Sequence, residues 1–273
     1  MIVALTLPGC AAAVPEEEGR VHVTSRNGDR LDAFYRAPEG PGPFPAIVML
    51  HGCSGLFNKK GDLRTREEMW IARFNREGWA TLLPDSFGSR GHGSFCSVKD
   101  RPVTAGGTRR EDALGALDFL IDRPEIDPKR IVLAGWSNGA MTALKLLRKG
   151  NDLTPKPGAP DFMAAVLFYP GCRVDLKKYP DYMLRLPSLL QMGEADDWTF
   201  APPCLELLER SRKAGLIDID IYPRAYHSFD NPTVMARVIN VAGGRQVHSG
   251  GDPHARALAV DRTVGWLKEK FGD

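Results

Sequence analysis

Apolar residues along this chain occur in short continuous runs that alternate with longer amphipathic stretches. The runs are rich in Val, Ile, Leu and Ala and are predicted as strands buried on both faces, at 46–50, 79–83, 131–134, 163–169, 188–192 and 217–222. The amphipathic stretches repeat apolar positions every three or four residues and are predicted as helices, at 65–77, 108–122, 140–149, 203–214 and 255–271. This alternation predicts an α/β fold, with a mostly parallel central sheet and helices on both faces.

Two shorter runs precede the first buried strand and alternate apolar with polar residues. They span 21–25 and 31–36 and are joined through Asn27-Gly28, a dipeptide that favours a tight hairpin turn. The chain is therefore expected to enter the sheet as an antiparallel hairpin.

Two of the predicted helices begin with the same signal. Thr65 precedes Glu68, and Thr108 precedes Glu111, by three residues in each case. This is the spacing of a capping box, in which the threonine hydroxyl and the glutamate satisfy backbone N–H groups at the helix start. We expect both threonines to be N-cap residues.

Composition narrows the class of partner. The 273 residues include 36 basic and 34 acidic side chains, a net charge of +2 without a block of like charge, so we expect a small-molecule partner and no nucleic acid. No apolar run approaches the roughly 20 residues of a membrane span. The cysteines and histidines lack the spacing of a zinc site, and no cofactor is expected. A single domain over 20–273, after a tail at 1–19, fits this length; the sequence leaves the oligomeric state open.

The first 13 residues are apolar and then small, as at the end of a secretion signal. Leu7-Pro8-Gly9-Cys10 resembles a lipoprotein box with Cys10 as the lipidated residue, although no Lys or Arg precedes it. Two interpretations stay open. The protein is exported, periplasmic or anchored through a lipid at Cys10, or this segment is a disordered tail on a cytoplasmic protein.

The third buried run, at 131–134, ends abruptly in a G-x-S-x-G motif, with Gly135 and Gly139 on either side of Ser137. A strand, a sharp turn and a helix, in that order, are the context in which this motif exposes a serine hydroxyl. Both glycines are needed because so tight a turn leaves no room for a Cβ. We predict that Ser137 is a nucleophile; the alternative is a serine that only caps the helix.

A base and an acid for this serine are sought on loops that leave the carboxyl ends of later strands. The loop after strand 188–192 contains Asp196 and Asp197, and the loop after the next strand contains His227. Serine, acid and histidine in this chain order are typical of α/β hydrolases. We expect Ser137, Asp196 and His227 to form a catalytic triad, with Asp197 as the competing acid.

Three motifs together resemble the dienelactone hydrolase-like family of α/β hydrolases, from about residue 20 onward. They are G-W-S-N-G around Ser137, G-E-A-D-D-W around Asp196 and A-Y-H-S-F around His227. The resemblance implies the α/β-hydrolase fold and hydrolysis of carboxylic esters through an acyl-enzyme. In that reaction His227 takes the serine proton and returns it to the leaving group, while Asp196 fixes the histidine tautomer.

The tetrahedral intermediate of this reaction requires hydrogen-bond donors for its oxyanion. One is the backbone N–H of Asn138, which follows the nucleophile at the start of a helix. The sequence H-G-C-S-G after strand 46–50 resembles the family's oxyanion turn, which implies the backbone N–H of Cys53 as the second donor. The Cys53 side chain is not required for this role.

The chain departs from the family at the positions that bind dienelactone. The family uses a cysteine nucleophile and a glutamate in the oxyanion loop, where this chain has Ser137 and Gly52. The family also holds the substrate carboxylate between two arginines; Arg90 could match the first, but Asn231 stands at the second. We therefore expect a serine esterase of unspecified acyl and alcohol groups. A peptidase or amidase with the same triad, or a binding module without activity, are the alternatives.

A long loop at 86–107 follows the strand at 79–83. Because long loops at strand ends are more often functional than idle, Arg90, His92 and Phe95 are predicted to bind substrate there. The alternative is a surface excursion. His248, by contrast, is expected to be solvated in a Gly-rich surface insertion.

The four cysteines beyond Cys10 are even in number and can pair in an oxidising compartment. Cys172 follows one strand, and Cys204 opens the helix after the Asp196 loop, so both are expected on the same rim. A disulfide between them would clamp the acid loop, and Cys53 with Cys96 is a second candidate pair. Buried free thiols are the alternative.

Overall fold

The structure is a computed structural model that describes residues 19–272. The signal-like tail with Cys10 lies outside the described residues. Within them, none of the helices has the length and apolar character needed to cross a membrane.

An eight-stranded sheet forms the centre of the structure. Its strands are β1 (Arg20–Thr24), β2 (Arg30–Arg36), β3 (Phe44–Leu50), β4 (Ala80–Pro84), β5 (Ile126–Trp136), β6 (Ala164–Phe168), β7 (Ser188–Gly193) and β8 (Ile217–Tyr222). They lie in the order β1-β2-β4-β3-β5-β6-β7-β8. The β1–β2 hairpin is antiparallel and joins β4 in antiparallel pairing, whereas β3 to β8 pair in parallel. Every residue of β4, β6 and β7 is buried, so both faces of the sheet centre are covered.

Six α-helices connect or flank these strands. They are α1 (Thr65–Arg76), α2 (Thr108–Ile121), α3 (Asn138–Leu147), α4 (Arg173–Lys178), α5 (Ala201–Lys213) and α6 (Pro253–Phe271). Five match the predicted helices. The sequence did not indicate α4, because a six-residue helix is less than two turns long and is too short for a helical period to show.

The predicted capping boxes are wrong. Arg64 and Gly107 occupy the N-cap positions of α1 and α2, and neither makes a side-chain capping bond. Both threonines lie one residue inside the helix, and the Thr65 hydroxyl is 2.9 Å from that of Thr233 in a distant loop. A hydroxyl can cap a helix only from the extended residue before it.

The Gly-rich insertion contains a hairpin that the sequence did not predict. Strands β9 (Arg237–Asn240) and β10 (Gln246–Ser249) pair antiparallel in a separate two-stranded sheet. Directly after β10, the backbone N–H of Gly250 donates to the carbonyl of His227 at 2.8 Å. The hairpin therefore packs beside the predicted catalytic histidine.

Candidate active site

The turn between β5 and α3 holds Ser137 in a strained backbone conformation, with φ 50° and ψ −110°. A non-glycine residue in such a region costs on the order of 1–3 kcal/mol and persists only where the surroundings enforce it. A Cβ on Gly135 would lie 2.6 Å from the backbone nitrogen of Ala140, and one on Gly139 would lie 2.0 Å from the carbonyl oxygen of Leu50. Gly135 thus allows the close approach of the turn to the start of α3, and Gly139 its close packing against the end of β3.

The structure brings Ser137, His227 and Asp196 into one hydrogen-bonded chain. Serine Oγ lies 3.0 Å from His227 Nε2, and His227 Nδ1 lies 2.8 Å from Asp196 Oδ2. The histidine and aspartate side chains are buried, at 1% and 0% exposure. The other carboxylate oxygen accepts backbone N–H groups from Trp198 at 2.9 Å and Thr199 at 2.8 Å. These donors hold Asp196 as an acceptor for the His227 Nδ1–H.

Thr199 is a contributor to this chain that the sequence did not indicate. Its hydroxyl lies 2.9 Å from Asp196 Oδ2, 2.9 Å from His227 Nδ1 and 3.0 Å from the carbonyl oxygen of Tyr169. The hydroxyl can donate to one of the two oxygens while it accepts from the histidine. It therefore orients the acid and the base together. No local motif marks a threonine for this role.

Asp197 faces away from His227 and anchors the β9–β10 hairpin. Its carboxylate accepts from the backbone N–H and from Nδ1 of His248, each at 2.8 Å. Tyr226 stacks on the same imidazole, with the ring centroids 4.6 Å apart. Burial alone would raise the pKa of Asp197, but the two hydrogen bonds from His248 outweigh it and lower the pKa below the usual value. His248, expected to be solvated, is 42% exposed and bonded to this carboxylate.

The residues predicted to form the oxyanion hole, Cys53 and Asn138, both line a cavity at Ser137. Arg109, which the sequence did not single out, joins their two segments. Its guanidinium donates to Asn138 Oδ1 at 2.5 Å and to the carbonyl oxygen of His51 at 2.8 Å. Complete burial lowers the pKa of Arg109 to about 10, which leaves it charged at neutral pH. One buried cation thus couples the oxyanion turn to the start of α3.

Both candidate cysteine pairs are disulfides: Cys53 with Cys96, and Cys172 with Cys204. The first attaches the oxyanion turn to the long loop at 86–107, and the Phe95 N–H reinforces it by donating to the carbonyl oxygen of Cys53 at 2.7 Å. The second joins the start of α4 to α5. Each bond therefore fixes a segment beside Ser137.

The structure does not bring Arg90 to the cavities at Ser137. Its guanidinium contacts Asp29 at 2.7 Å, Asp112 at 2.8 Å and the carbonyl oxygen of Ser86 at 2.8 Å. Burial alone would lower the pKa of Arg90, but its bonds to the two carboxylates outweigh that and raise it. These carboxylates neutralise the charge that the sequence assigned to a substrate. Arg90 instead ties the β1–β2 turn to α2.

His92 and Phe95 do not line the cavities either. Phe95 is buried against Phe87, with ring centroids 4.5 Å apart, and the His92 ring lies 5.3 Å from that of Phe95. The loop at 86–107 reaches the two cavities instead through Cys96 and Arg101. The residues of this loop that line the cavities are therefore not the ones predicted to bind substrate.

A buried network below the serine supports the histidine loop. Asp230 accepts the indole N–H of Trp70 and of Trp136, each at 2.8 Å, and the hydroxyl of Tyr169 at 2.6 Å. The Tyr169 ring meets the His227 ring edge-on, with centroids 4.6 Å apart. Since Asp230 lies three residues after His227, these bonds hold that loop against the core.

Two cavities open at Ser137. The first, of about 360 Å³, is lined by His227 and not by Asn138, and we call it the His227 cavity. The second, of about 270 Å³, is lined by Asn138 and not by His227, and we call it the Asn138 cavity. Cys53 and Trp198 line both. The serine therefore lies between two separate spaces, one on the side of the histidine and one on the side of α3. Residues 19–272 contain no group of three or more His, Cys, Asp or Glu side chains arranged to hold a metal ion.

Solved structures share this fold across most of the chain. Esterase 2 of Thermogutta terrifontis, in a structure phosphorylated by paraoxon, is 18% identical over 93% of this chain and 95% of its own, with a TM-score of 0.64. A candidate dienelactone hydrolase from Klebsiella pneumoniae is 17% identical over 91% of this chain and 97% of its own, with a TM-score of 0.62. Dipeptidyl peptidase 4 of Porphyromonas gingivalis is 17% identical over 92% of this chain but only 35% of its own, with a TM-score of 0.62.

These likenesses establish the α/β-hydrolase fold. Among curated proteins, none matches the sequence significantly. The family model of the dienelactone hydrolase family, however, matches residues 31–271. That match spans β3 to β8 and all of β2 but its first residue, together with the triad residues and both disulfides. The chain belongs to the dienelactone hydrolase family.

Proposed function

We propose that this hydrolase cleaves carboxylic esters through an acyl-enzyme, with Ser137 as nucleophile, His227 as base and Asp196 as the orienting acid. The observation that carries the proposal is the unbroken chain of contacts from Ser137 Oγ to the buried Asp196 carboxylate, at 3.0 and 2.8 Å. A free serine is a poor nucleophile, and a histidine within hydrogen-bond reach removes its proton as attack proceeds.

Attack on the ester carbonyl forms a bond from Ser137 Oγ to carbon and moves the serine proton to His227 Nε2. Asp196 stabilises the resulting imidazolium, because its carboxylate faces Nδ1 in a buried site. The carbonyl oxygen becomes an oxyanion, for which the backbone N–H groups of Cys53 and Asn138 are the proposed donors. Removal of one such donor typically costs about 10²–10³ in kcat.

His227 then protonates the alcohol oxygen, and the carbon–oxygen bond breaks to leave an acyl-serine. Water attacks this ester with His227 again as base, and the acid is released. Because the leaving oxygen must reach Nε2, the alcohol belongs in the His227 cavity and the acyl group in the Asn138 cavity. This division follows from the proton transfer itself.

The decisive experiment combines burst kinetics on 4-nitrophenyl acetate with labelling by a fluorophosphonate. The wild type should label at one serine, and Ser137→Ala should abolish both labelling and turnover, since triad members act as a unit. Ser97→Ala, on the exposed part of the 86–107 loop, is the matched control and should behave as wild type. Substantial turnover by Ser137→Ala would refute the assignment of Ser137 as the nucleophile. A parallel series of 4-nitroanilides tests the amidase alternative, which predicts comparable rates on amides.

The two disulfides support export, because such bonds persist in oxidising compartments. We propose that the protein functions outside the cytoplasm. Fractionation of the native host tests this: recovery of the oxidised protein from the periplasm or the membrane fraction is expected, and recovery of reduced protein from the cytosol would refute it.

A further inference from the structure

The charged residues that line the Asn138 cavity are all cations. Three arginines line it, Arg101, Arg173 and Arg245, and no Asp, Glu or Lys does so. They come from three segments far apart in sequence: the 86–107 loop, the start of α4 and the β9–β10 turn. None of them is Arg90, the arginine suggested by the family resemblance.

The positive charge of these arginines is not compensated. Arg101 donates to the carbonyl oxygen of Val98 at 3.1 Å, Arg245 donates to the carbonyl oxygen of Asp197 at 3.0 Å, and Arg173 lies over the ring of Phe200 at 5.1 Å. All three contacts are with neutral groups. Within residues 19–272, no carboxylate forms an ion pair with any of the three, whereas Arg90 is paired with two.

Burial makes the charge of Arg101 costly, whereas Arg173 and Arg245 are exposed at the mouth of the cavity. Burial lowers the pKa of Arg101, and no neighbouring carboxylate offsets it. Three guanidinium groups around one small cavity also repel each other, and solvent at the exposed Arg173 and Arg245 screens only part of that repulsion. An anion in the cavity would remove both penalties, and a planar guanidinium suits a carboxylate in particular.

Beside the arginines and the polar residues Ser137, Asn138 and Thr199, apolar side chains line the cavity. Met141, Val174, Phe200 and Pro203 are among them, and Phe200 and Val174 are exposed at 37% and 64%. An unbranched hydrocarbon chain can lie along such side chains, whereas a polar chain would lose its hydration there without replacement bonds. The lining therefore fits an acyl group that is apolar along its length and charged at its end.

On the basis of the ester hydrolysis proposed above, we infer that the preferred substrates are half-esters of aliphatic dicarboxylic acids, with the free carboxylate held by Arg101, Arg173 and Arg245 in the Asn138 cavity. The acyl group enters this cavity because the leaving alcohol must face His227. The products are then an alcohol and a dicarboxylate. The open-chain acyl group and these three arginines distinguish the site from the two-arginine carboxylate site of the family.

A matched pair of substrates tests the inference. The 4-nitrophenyl half-ester of adipic acid carries a free carboxylate, and its methyl diester has the same chain without the charge. The wild type should prefer the half-ester by about tenfold or more in kcat/KM, because hydrogen bonds to charged groups contribute at least that factor. The preference should decline between low salt and about 1 M NaCl, where screening acts over roughly 3 Å.

Arginine variants locate the anion. Arg173→Gln and Arg245→Gln should each lower the ratio of half-ester to diester kcat/KM about tenfold. Arg212→Gln, at an exposed position on α5 outside both cavities, should retain the wild-type ratio. Moving the charge to the alcohol, with 4-acetoxybenzoate against its methyl ester, gives a second ratio that Arg173→Gln and Arg245→Gln should not change. Circular dichroism and thermal melting confirm that the variants are folded.

The outcomes separate the two proposals. If the wild type hydrolyses the diester and reacts with a fluorophosphonate but shows a ratio near one, the anion site is refuted and the esterase stands. An equal loss of both ratios in Arg173→Gln would refute the placement of the acyl group. If neither ester is hydrolysed and no serine is labelled, the proposed function itself is refuted.

Discussion

The adjacent carboxylates Asp196 and Asp197 allow a sharp test of the triad, because the same substitution can be made at both. Asp196 Oδ2 faces His227 Nδ1 at 2.8 Å and its side chain is fully buried. In Asp196→Asn a neutral amide replaces the carboxylate. The amide no longer favours a proton on His227 Nδ1, and it does not stabilise the imidazolium. Since this loss in serine proteases costs about 10⁴ in kcat, we expect a decrease of about 10³–10⁴ with little change in KM.

Asp197→Asn should affect stability more than turnover, since Asp197 contacts His248 and not His227. The Asp197 and His248 side chains are 38% and 42% exposed, so solvent screening limits their interaction to less than about 1 kcal/mol. We expect kcat within about threefold of wild type and a small decrease in the melting temperature. The assay is steady-state kinetics on a neutral 4-nitrophenyl ester. Similar losses in both variants would refute the assignment of Asp196 as the acid.

The pH dependence of stability provides an independent readout for Asp197. Its pKa is lower in the folded protein than the ordinary 3.8, so the carboxylate stabilises the fold above that pH, and the contribution is lost as pH falls through the folded value. The difference in melting temperature between wild type and Asp197→Asn should therefore be present at pH 6 and shrink towards pH 3. A difference that is constant over this range would contradict the stabilisation of the Asp197 carboxylate by its hydrogen bonds from His248.

Three further perturbations test the supports of the site. Gly139→Ala should destabilise the protein by about 3 kcal/mol or more in urea melts, because its Cβ would lie 2.0 Å from a backbone oxygen. The control Gly265→Ala, where a Cβ meets nothing within 4 Å, should instead stabilise α6 by about 0.5–1 kcal/mol. Equal effects of the two substitutions would contradict the close packing of the turn at Ser137. Arg109→Met should lower kcat about 10–100-fold with nearly unchanged KM, because the oxyanion turn loses its link to α3; a change confined to KM would contradict this role. Replacement of both Cys172 and Cys204 by serine, which opens a loop with a sequence separation of 32, should cost about 4 kcal/mol by loop entropy. Wild-type stability in this double variant would refute the clamp.

The sequence by itself determined the local elements and pointed to the residues of the candidate site. Buried strands appear in the sequence as continuous apolar runs and amphipathic helices as a period of 3.6 residues, and both patterns depend only on neighbours along the chain. The strained turn at Ser137 was equally visible, because its glycines must lie within two residues of the serine. The order of Ser137, Asp196 and His227 followed from strand ends in a parallel sheet, where topology alone brings such loops to one edge.

Tertiary structure decided which distant side chains meet. Arg90 was expected to bind the substrate. It is paired instead with Asp29, which lies in the β1–β2 turn, 61 residues away in sequence. Thr199 became a partner of the triad only because its loop folds back over Asp196 and His227. The β9–β10 hairpin brings His248 to Asp197. Its strands are short and mostly exposed, so they have no strong apolar pattern in the sequence.

The charge of the Asn138 cavity was likewise invisible in the sequence. Arg101, Arg173 and Arg245 are separated by more than 70 residues at each step, and each could have been paired with one of 34 acidic residues. Whether an arginine is neutralised depends on which carboxylate the fold places within about 4 Å, since Coulomb attraction in water is weak beyond that distance. Periodicity along the chain does not encode such distances. They are set by the packing of loops at the carboxyl edge of the sheet.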